Sequence, residues 1–339
     1  MSIDWANVER VLVVKLRSIG DTVLSTPSLI ALRRFLPDAQ IDILLEDWVA
    51  PVLDGFDAVD NVMPVGRGIG ERFRMGLGLR RRHYDVAFNL HGGTTATWFV
   101  RASGARHRIG YSGYRYSFLY NYLLTSAADF WLRDKTHSAE QQLALLGFVG
   151  VPVDDGPKSR LVVTDAGRTA RVRVWHERGN YALIHPTTAF FTKQWPVENF
   201  ARVAEYLAEN GIQSVAISSK GEAATLGQLV TAAKTPVAVF DDLTLPEITA
   251  LASKARIFVG NDSGIAHIAA AVSTPTVVVF GSSNRGHWRP WTDAPNEIVY
   301  EEFACQPCPG YRCEVYGEPK CILSVRPDAV IAAVCRLLS

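Results

Sequence analysis

The plainest chemistry in this chain sits at Asp262, Ser263, Gly264 and His267, within Ile257 to Gly281, IFVGNDSGIAHIAAAVSTPTVVVFG. Asp262-Ser263-Gly264 stands where a short apolar run, Ile257–Val259, gives way to the Ala-rich run Ile265–Val272. That is the pattern of a strand turning into a helix. A helix N-terminus has unpaired N–H groups and the positive end of the helix dipole, so it attracts phosphate. Ser263 adds a hydroxyl, and Gly264 lets a ligand approach the backbone. Asp262 repels phosphate and is better suited to sugar hydroxyls beside it. As a helix cap, Asp262 or Ser263 needs no ligand at all. His267, one turn further on, serves equally as a ligand contact or as a hydrogen-bonded core side chain.

A second set follows the apolar run Tyr181–His185, in HPTTAFFTKQWPVENF. Thr187, Thr188 and Lys193 put two hydroxyls and an ammonium into a strand-to-helix loop, a suitable phosphate set. The plain alternative is a turn with a surface lysine. Glu222 follows the strand Val215–Ser218 and can accept ribose hydroxyls or simply favour a helix start.

Near the start, VLVVKLRSIGD carries Lys15, Arg17 and Asp21. Asp21 is either an N-cap or a carboxylate that takes a proton from an attacking hydroxyl. Lys15 and Arg17 pair with it or face an anionic ligand. Net charge is only +1, but it is unevenly spread. Residues 1–65 hold five basic and ten acidic side chains, whereas residues 66–128 hold ten arginines against Glu71 and Asp85. In GRGIGERFRMGLGLRRRH, a mobile loop or a helix with a basic face, Arg67, Arg72 and Arg74 can grip phosphates or carboxylates, as can Arg80–Arg82. A solvated charged face is the alternative. His91, in HGGT, follows the strand Asp85–Leu90 at the ligand edge of a sheet. Tyr111–Leu124 reads as a packed helix, a surface dipping into lipid headgroups or, from its aromatics, a nucleic-acid surface.

Cys305, Cys308, Cys313 and Cys321 cluster near the end. Such spacing raises a structural metal before a disulfide, although only one CxxC is present. Cys335 reads as core on a closing helix.

The elements that carry these residues alternate strand and helix. Val11–Lys15, a helix Thr22–Leu36 ended by Pro37, and Ile41–Leu45 form one βαβ block. Tyr181–His185, a helix Val197–Glu209 opened by Trp195-Pro196, Val215–Ser218, Ala238–Phe240, a helix capped by Thr244, and Thr276–Phe280 build a second. Pro152 and Asp154-Asp155-Gly156-Pro157 mark a linker in the stretch 150–173, giving domains 1–160 and 161–339. With 48% hydrophobic and 20% charged residues the chain can build ample core. No apolar run approaches the roughly 20 residues of a membrane span. Acids early in the N-terminus and no small-residue cleavage site argue against a signal peptide, so a cytoplasmic location is expected. Neither LRSIGD nor GRGIGE has the GxGxxG spacing of nicotinamide enzymes.

Over nearly its whole length the chain resembles the lipopolysaccharide heptosyltransferases of glycosyltransferase family 9. The carriers are VLVVKLRSIGDTVLSTPSL, HPTTAFFTKQWPVENF, LTLPEITAL and GNDSGIAHIAAA, the last being the most specific. The CxPC…C…C tail is similar to the second-heptose branch. The resemblance implies an α/β GT-B fold, two Rossmann-like domains with parallel sheets facing across a cleft, the first binding acceptor and the second donor. It implies inverting transfer of L-glycero-D-manno-heptose from ADP-heptose to the inner core of lipopolysaccharide, with no cofactor and no catalytic metal. Asp21 then matches the general base. Thr187, Thr188 and Lys193 match donor-phosphate contacts, Glu222 the ribose acid, and Asp262, Ser263, Gly264 and His267 the donor pocket. Lys15, Arg17, Arg67, Arg72, Arg74 and His91 fall to the anionic, lipid-linked acceptor. A monomer lying peripherally on the inner membrane is expected, with no nucleic acid as partner. The rivals are a GT-B transferase for another nucleotide sugar and a nucleotide-sugar epimerase, which needs no acceptor site and leaves the arginines unexplained. A nucleic-acid-binding module is at odds with the near-neutral charge and two separate phosphate-type loops.

Overall fold

The computed structural model describes residues 3–308 and 311–339. The chain divides into two compact units, Met1–Ser159 and Arg160–Ser339. Among the described residues no helix is long and apolar enough to cross a membrane.

The first unit has strands β1 (Arg10–Leu16), β2 (Gln40–Glu46), β3 (Asn61–Val65), β4 (Val86–Asn89), β5 (His107–Tyr111) and β6 (Tyr122–Leu124). Its helices are α1 (Ile19–Val23), α2 (Thr26–Phe35), α3 (Ile69–Arg80), α4 (Gly93–Ala102), α5 (Ala127–Trp131) and α6 (Ser138–Gly147). All strand pairs are parallel, in the order β3-β2-β1-β4-β5-β6. Strands covered on both faces must be apolar throughout rather than alternating. Accordingly β1 is buried at every position after Arg10.

Three sequence expectations fail here. The helix expected over 22–36 is two helices. Pro27 lacks the N–H that would reach the Val23 carbonyl, and the Thr26 hydroxyl donates to that carbonyl instead at 2.7 Å. The Ser25 hydroxyl likewise donates to the Thr22 carbonyl at 2.6 Å. Tyr111–Leu124 is not a helix but the end of β5, a single 3-10 turn and β6. Its aromatic residues favour extended chain, and Gly110 leaves room for the Tyr120 ring, since a Cβ there would lie 2.9 Å from it. In the second unit, Cys335 is exposed rather than core.

The second unit repeats the plan with β7 (Tyr181–His185), β8 (Gln213–Ile217), β9 (Val237–Phe240), β10 (Ile257–Asn261), β11 (Thr276–Val279) and β12 (Asn296–Val299). Its helices are α7 (Ala170–Arg178), α8 (Val197–Glu209), α9 (Ala223–Ala232), α10 (Leu245–Lys254), α11 (Gly264–Ala271), α12 (Arg285–Trp288), α13 (Lys320–Leu323) and α14 (Pro327–Leu338). The order β12-β11-β10-β7-β8-β9 is again all parallel. Trp195 and Phe200, fully buried, pack edge to face in the core between α8, the sheet and α14. Thr244 and Glu247 form the reciprocal cap that the sequence announces for α10.

Candidate functional site

In each unit the strand order reverses between the first strand and the fourth. In open parallel sheets ligands bind outside the carboxyl ends of the strands at that reversal. The first crevice lies between the ends of β1 and β4, the second between the ends of β7 and β10. Most of the candidate residues fall at these two places.

At the first, Lys15 comes from β1, Asp21 from α1 and His91 from the turn after β4. The Lys15 ammonium donates to Asp21 Oδ1 at 3.2 Å and to the Leu90 carbonyl at 2.9 Å. Ser18, not Asp21, occupies the N-cap of α1, and its hydroxyl donates to Asp21 Oδ2 at 3.0 Å. Asp21 is therefore no cap. Burial raises its pKa, but the charge and hydrogen bond of Lys15 and the Ser18 hydroxyl outweigh it and hold the carboxyl below its ordinary range. Burial and then Lys15 push His91 down to about 4, so its ring is neutral near pH 7. Leu16, at the bulge where β1 ends, has a φ of 51°. A branched residue adopts that conformation only where its surroundings enforce it, which is common at functional turns.

The arginines are less available than the local sequence suggests. Buried Glu46 at the end of β2 takes Arg67 Nε and Arg72 Nη2, each at 3.3 Å, and Trp48 Nε1 at 2.8 Å. Buried Asp42 takes Arg82 at 3.0 Å and the Tyr84 hydroxyl at 2.6 Å. The acids missing from residues 66–83 are thus supplied by β2. Arg17 and Arg74 are exposed. A cavity of about 770 Å³ between β3 and α3 is lined by Asp47, Glu71, Arg74 and Arg82. It lies at the sheet's edge, away from the crevice.

At the second crevice, the loop after β7 meets the turn before α11. The Lys193 ammonium donates to Asp262 Oδ2 at 2.8 Å. The Ser283 hydroxyl donates to the same oxygen in a very short bond. Thr188 Oγ1 lies 3.4 Å from the Asp262 carbonyl oxygen. Ser263 occupies the N-cap of α11, yet its side chain caps nothing. Instead it bonds His185 Nδ1 at 3.1 Å, while Thr187 Oγ1 bonds His185 Nε2 at 3.2 Å. Burial pushes His185 down to about 4, with Glu222 pulling weakly the other way. A neutral imidazole donates through one nitrogen and accepts through the other, so its two hydroxyl partners play opposite roles. The first amides of α11 remain without the Ser263 side chain, which suits an anion at that N-terminus. His267 is buried within α11. Glu222 closes a reciprocal cap with Ser219 on the 3-10 turn Lys220–Glu222 that leads into α9, its Oε2 accepting from the Ser219 hydroxyl and amide.

Sequence reasoning missed His185, Asn261 and Ser283. Asn261 ends β10 fully buried, accepts from the Trp195 amide at 3.0 Å and donates to the Pro186 carbonyl at 2.9 Å, clamping the two loops together. Its position one residue before Asp262, in a strand otherwise apolar, was the available signal.

Cys305, Cys308, Cys313 and Cys321 line one small cavity with Thr192 and Ser282. Burial and the neighbouring thiols push the Cys321 thiol up. Among the described residues no group of three or more His, Cys, Asp or Glu side chains is arranged to hold a metal ion.

A family model described as glycosyltransferase family 9 (heptosyltransferase) matches residues 72–317. The chain is 29% identical to lipopolysaccharide heptosyltransferase 3 of Escherichia coli, over 95% of this chain and 97% of that protein. It is 26% identical to lipopolysaccharide heptosyltransferase 2 of E. coli K12, over 81% and 83%. Among solved structures, a family 9 glycosyl transferase from Veillonella parvula superposes with a TM-score of 0.83 at 20% identity, covering 97% of each chain. E. coli ADP-heptose lipopolysaccharide heptosyltransferase II gives 0.81 at 23% identity, over 97% and 98%. The architecture is that of the GT-B class.

Proposed function

Because the chain belongs to glycosyltransferase family 9, we propose that it moves L-glycero-D-manno-heptose from ADP-heptose to the inner core of lipopolysaccharide, with inversion at the anomeric carbon. The observation that carries the donor half is the Lys193–Asp262 pair beside the uncapped start of α11. A cation held in place and a helix N-terminus together make a site for a diphosphate.

The acceptor hydroxyl attacks the anomeric carbon and gives its proton to the Asp21 carboxylate. The new carbon–oxygen bond forms as the bond to the diphosphate breaks, and its electron pair leaves with ADP. The anomeric carbon gains oxocarbenium character on the way. Negative charge grows on the diphosphate, where Lys193, Thr187, Thr188 and the α11 amides offset it. This role is assigned to side chains and backbone rather than to a metal. Asp21 is ionised at neutral pH and ready to accept the proton. Glu222 and Asp262 Oδ1 are assigned to the donor's hydroxyls. Lys15, Arg17, Arg74 and neutral His91 meet the anionic acceptor. The protein works as a cytoplasmic monomer against the inner membrane, where a lipid-linked acceptor resides.

Calorimetric titration with ADP, UDP, GDP and ADP-heptose tests the donor. Selective binding of the adenine ligands, tightest for the sugar form, is expected. Binding of UDP or GDP instead overturns the heptose assignment. Transfer assayed on core saccharides carrying no, one or two heptoses then fixes the position of addition.

A further inference from the structure

Helix α3 carries three of the most exposed large apolar side chains of the first unit: Ile69 (88% exposed), Phe73 (58%) and Leu77 (48%). They are spaced four residues apart. Each such step turns only about 40° around a helix, so the three form one continuous stripe. The adjoining face is packed: Gly76 and Leu79 are buried, and Trp98 of α4 lies so close to Gly76 that a Cβ there would come within 2.5 Å of its ring. Trp98 is itself partly exposed beside the stripe. Isolated surface apolar residues are ordinary, but a row with an aromatic at its border is not.

The charges around the row are of one sign. Arg74 and Arg81 are exposed on the side of the helix next to the stripe, and Arg80, also exposed, folds over Gly104 at its end. Among the described residues these three make no ion pair to a carboxylate, unlike Arg67, Arg72 and Arg82. The one acid of the helix, Glu71, turns back towards Gly66 and Gly68, away from the row. Apolar side chains bordered by arginines and a tryptophan fit an anionic lipid surface, with the rings and aliphatic chains in the headgroup region and the guanidinium groups on phosphates. A two-fold contact with a second copy would set the same arginines against one another.

We propose that the Ile69–Phe73–Leu77 face of α3, bordered by Arg74, Arg81 and Trp98, is the surface by which this protein lies on an anionic membrane. This deepens the lipid-linked acceptor of the preceding section and rests on it for its purpose only. Helix α3 follows directly from β3, so its first turn with Ile69 stands at the carboxyl edge of the sheet. The edge that takes the acceptor is then the edge presented to the bilayer.

The test is co-sedimentation of the full chain with vesicles of phosphatidylethanolamine and phosphatidylglycerol, and with phosphatidylcholine alone. The same runs use the variant Ile69→Ser/Phe73→Ser/Leu77→Ser. Wild type should bind the anionic vesicles, and roughly tenfold less well at high salt. The variant should lose about tenfold in partitioning while keeping its ADP affinity and its transfer to a deacylated core saccharide. Equal binding by the variant, no binding by wild type, or equal binding to phosphatidylcholine would overturn the proposal. So would a wild-type dimer that the variant dissolves in sedimentation velocity, because the face would then belong to a second copy. The vesicles contain no acceptor, so failure of the heptosyl assignment leaves this result unaffected.

Discussion

Replacing Lys15 by methionine should move the acid limb of the pH–rate profile upward. The ammonium lies 3.2 Å from Asp21 Oδ1. Asp21 is 30% exposed, so water screens the pair. With an effective dielectric of about 40–80, the attraction is roughly 1.3–2.6 kcal/mol. That attraction favours the carboxylate over the protonated acid. Without Lys15, burial acts on Asp21 with little opposition and favours the protonated acid. The sign is therefore fixed: Lys15→Met must lose activity at acid pH first and recover as pH rises. The assay is kcat/KM for transfer between about pH 4 and 8, with thermal melting alongside. Melting is needed because Lys15 also satisfies the Leu90 carbonyl, and that loss costs about 1 kcal/mol of stability. An unmoved acid limb in a folded variant would refute the reasoning, because Asp21 would not then be the group whose ionisation the reaction needs. Asp21→Asn serves as the control and should abolish transfer at every pH while ADP still binds.

Lys193→Met should weaken ADP-heptose binding by about tenfold to a hundredfold, the worth of a charge-assisted phosphate contact; unchanged calorimetric affinity would remove Lys193 from the site. Gly281→Ala should weaken ADP binding and cost about 1–3 kcal/mol in denaturant melts, since its Cβ would sit 2.4 Å from the Thr192 carbonyl and push apart the strands of chain that hold Lys193 and Ser283. Glu247, paired with Arg171 and held at about 2, contributes stability that is present above about pH 4.5 and lost as pH falls towards 2. Glu247→Gln should therefore cost about 1–2 kcal/mol at pH 7, and the gap in melting temperature from wild type should close on acidification; a gap that persists at pH 2 would point to packing rather than charge.

The sequence shows the layers of the fold clearly because parallel strands buried on both faces announce themselves as apolar runs. β1, β7 and β10 were each located within one or two residues. Less legible was anything set by a neighbour distant in the chain. The basic stretch after Gly66 looked unpaired because its counter-ions, Asp42 and Glu46, arrive from β2 through sheet pairing. Tyr111–Leu124 has apolar content but no strict period, and only its place beside β5 makes Tyr122–Leu124 a strand. His185 ends an apolar strand and reads as its last core residue. Its two hydroxyl partners lie two and seventy-eight positions away, and the second of these distances is invisible to local pattern.

The two crevices hold the same pair of residue types, Lys15 with Asp21 and Lys193 with Asp262, but in opposite sense. In the first, the ammonium is buried (4% exposed) and the carboxylate faces outward (30%). In the second, the carboxylate is buried (6%) and the ammonium is the more exposed partner (16%). The buried member acts first on its partner, fixing its charge and direction. The exposed member is left to do chemistry. A carboxylate offered outward and kept ionised is a base for a hydroxyl. An ammonium offered outward, with its carboxylate behind it, is a cation held in position for a diphosphate. Exchanging the pairs would place a carboxylate against the leaving phosphates and an ammonium against the acceptor hydroxyl. Both substitutions oppose the charge that develops in sugar transfer, so the sense of each pair supports the proposal that puts the base in the first unit and the donor phosphates in the second.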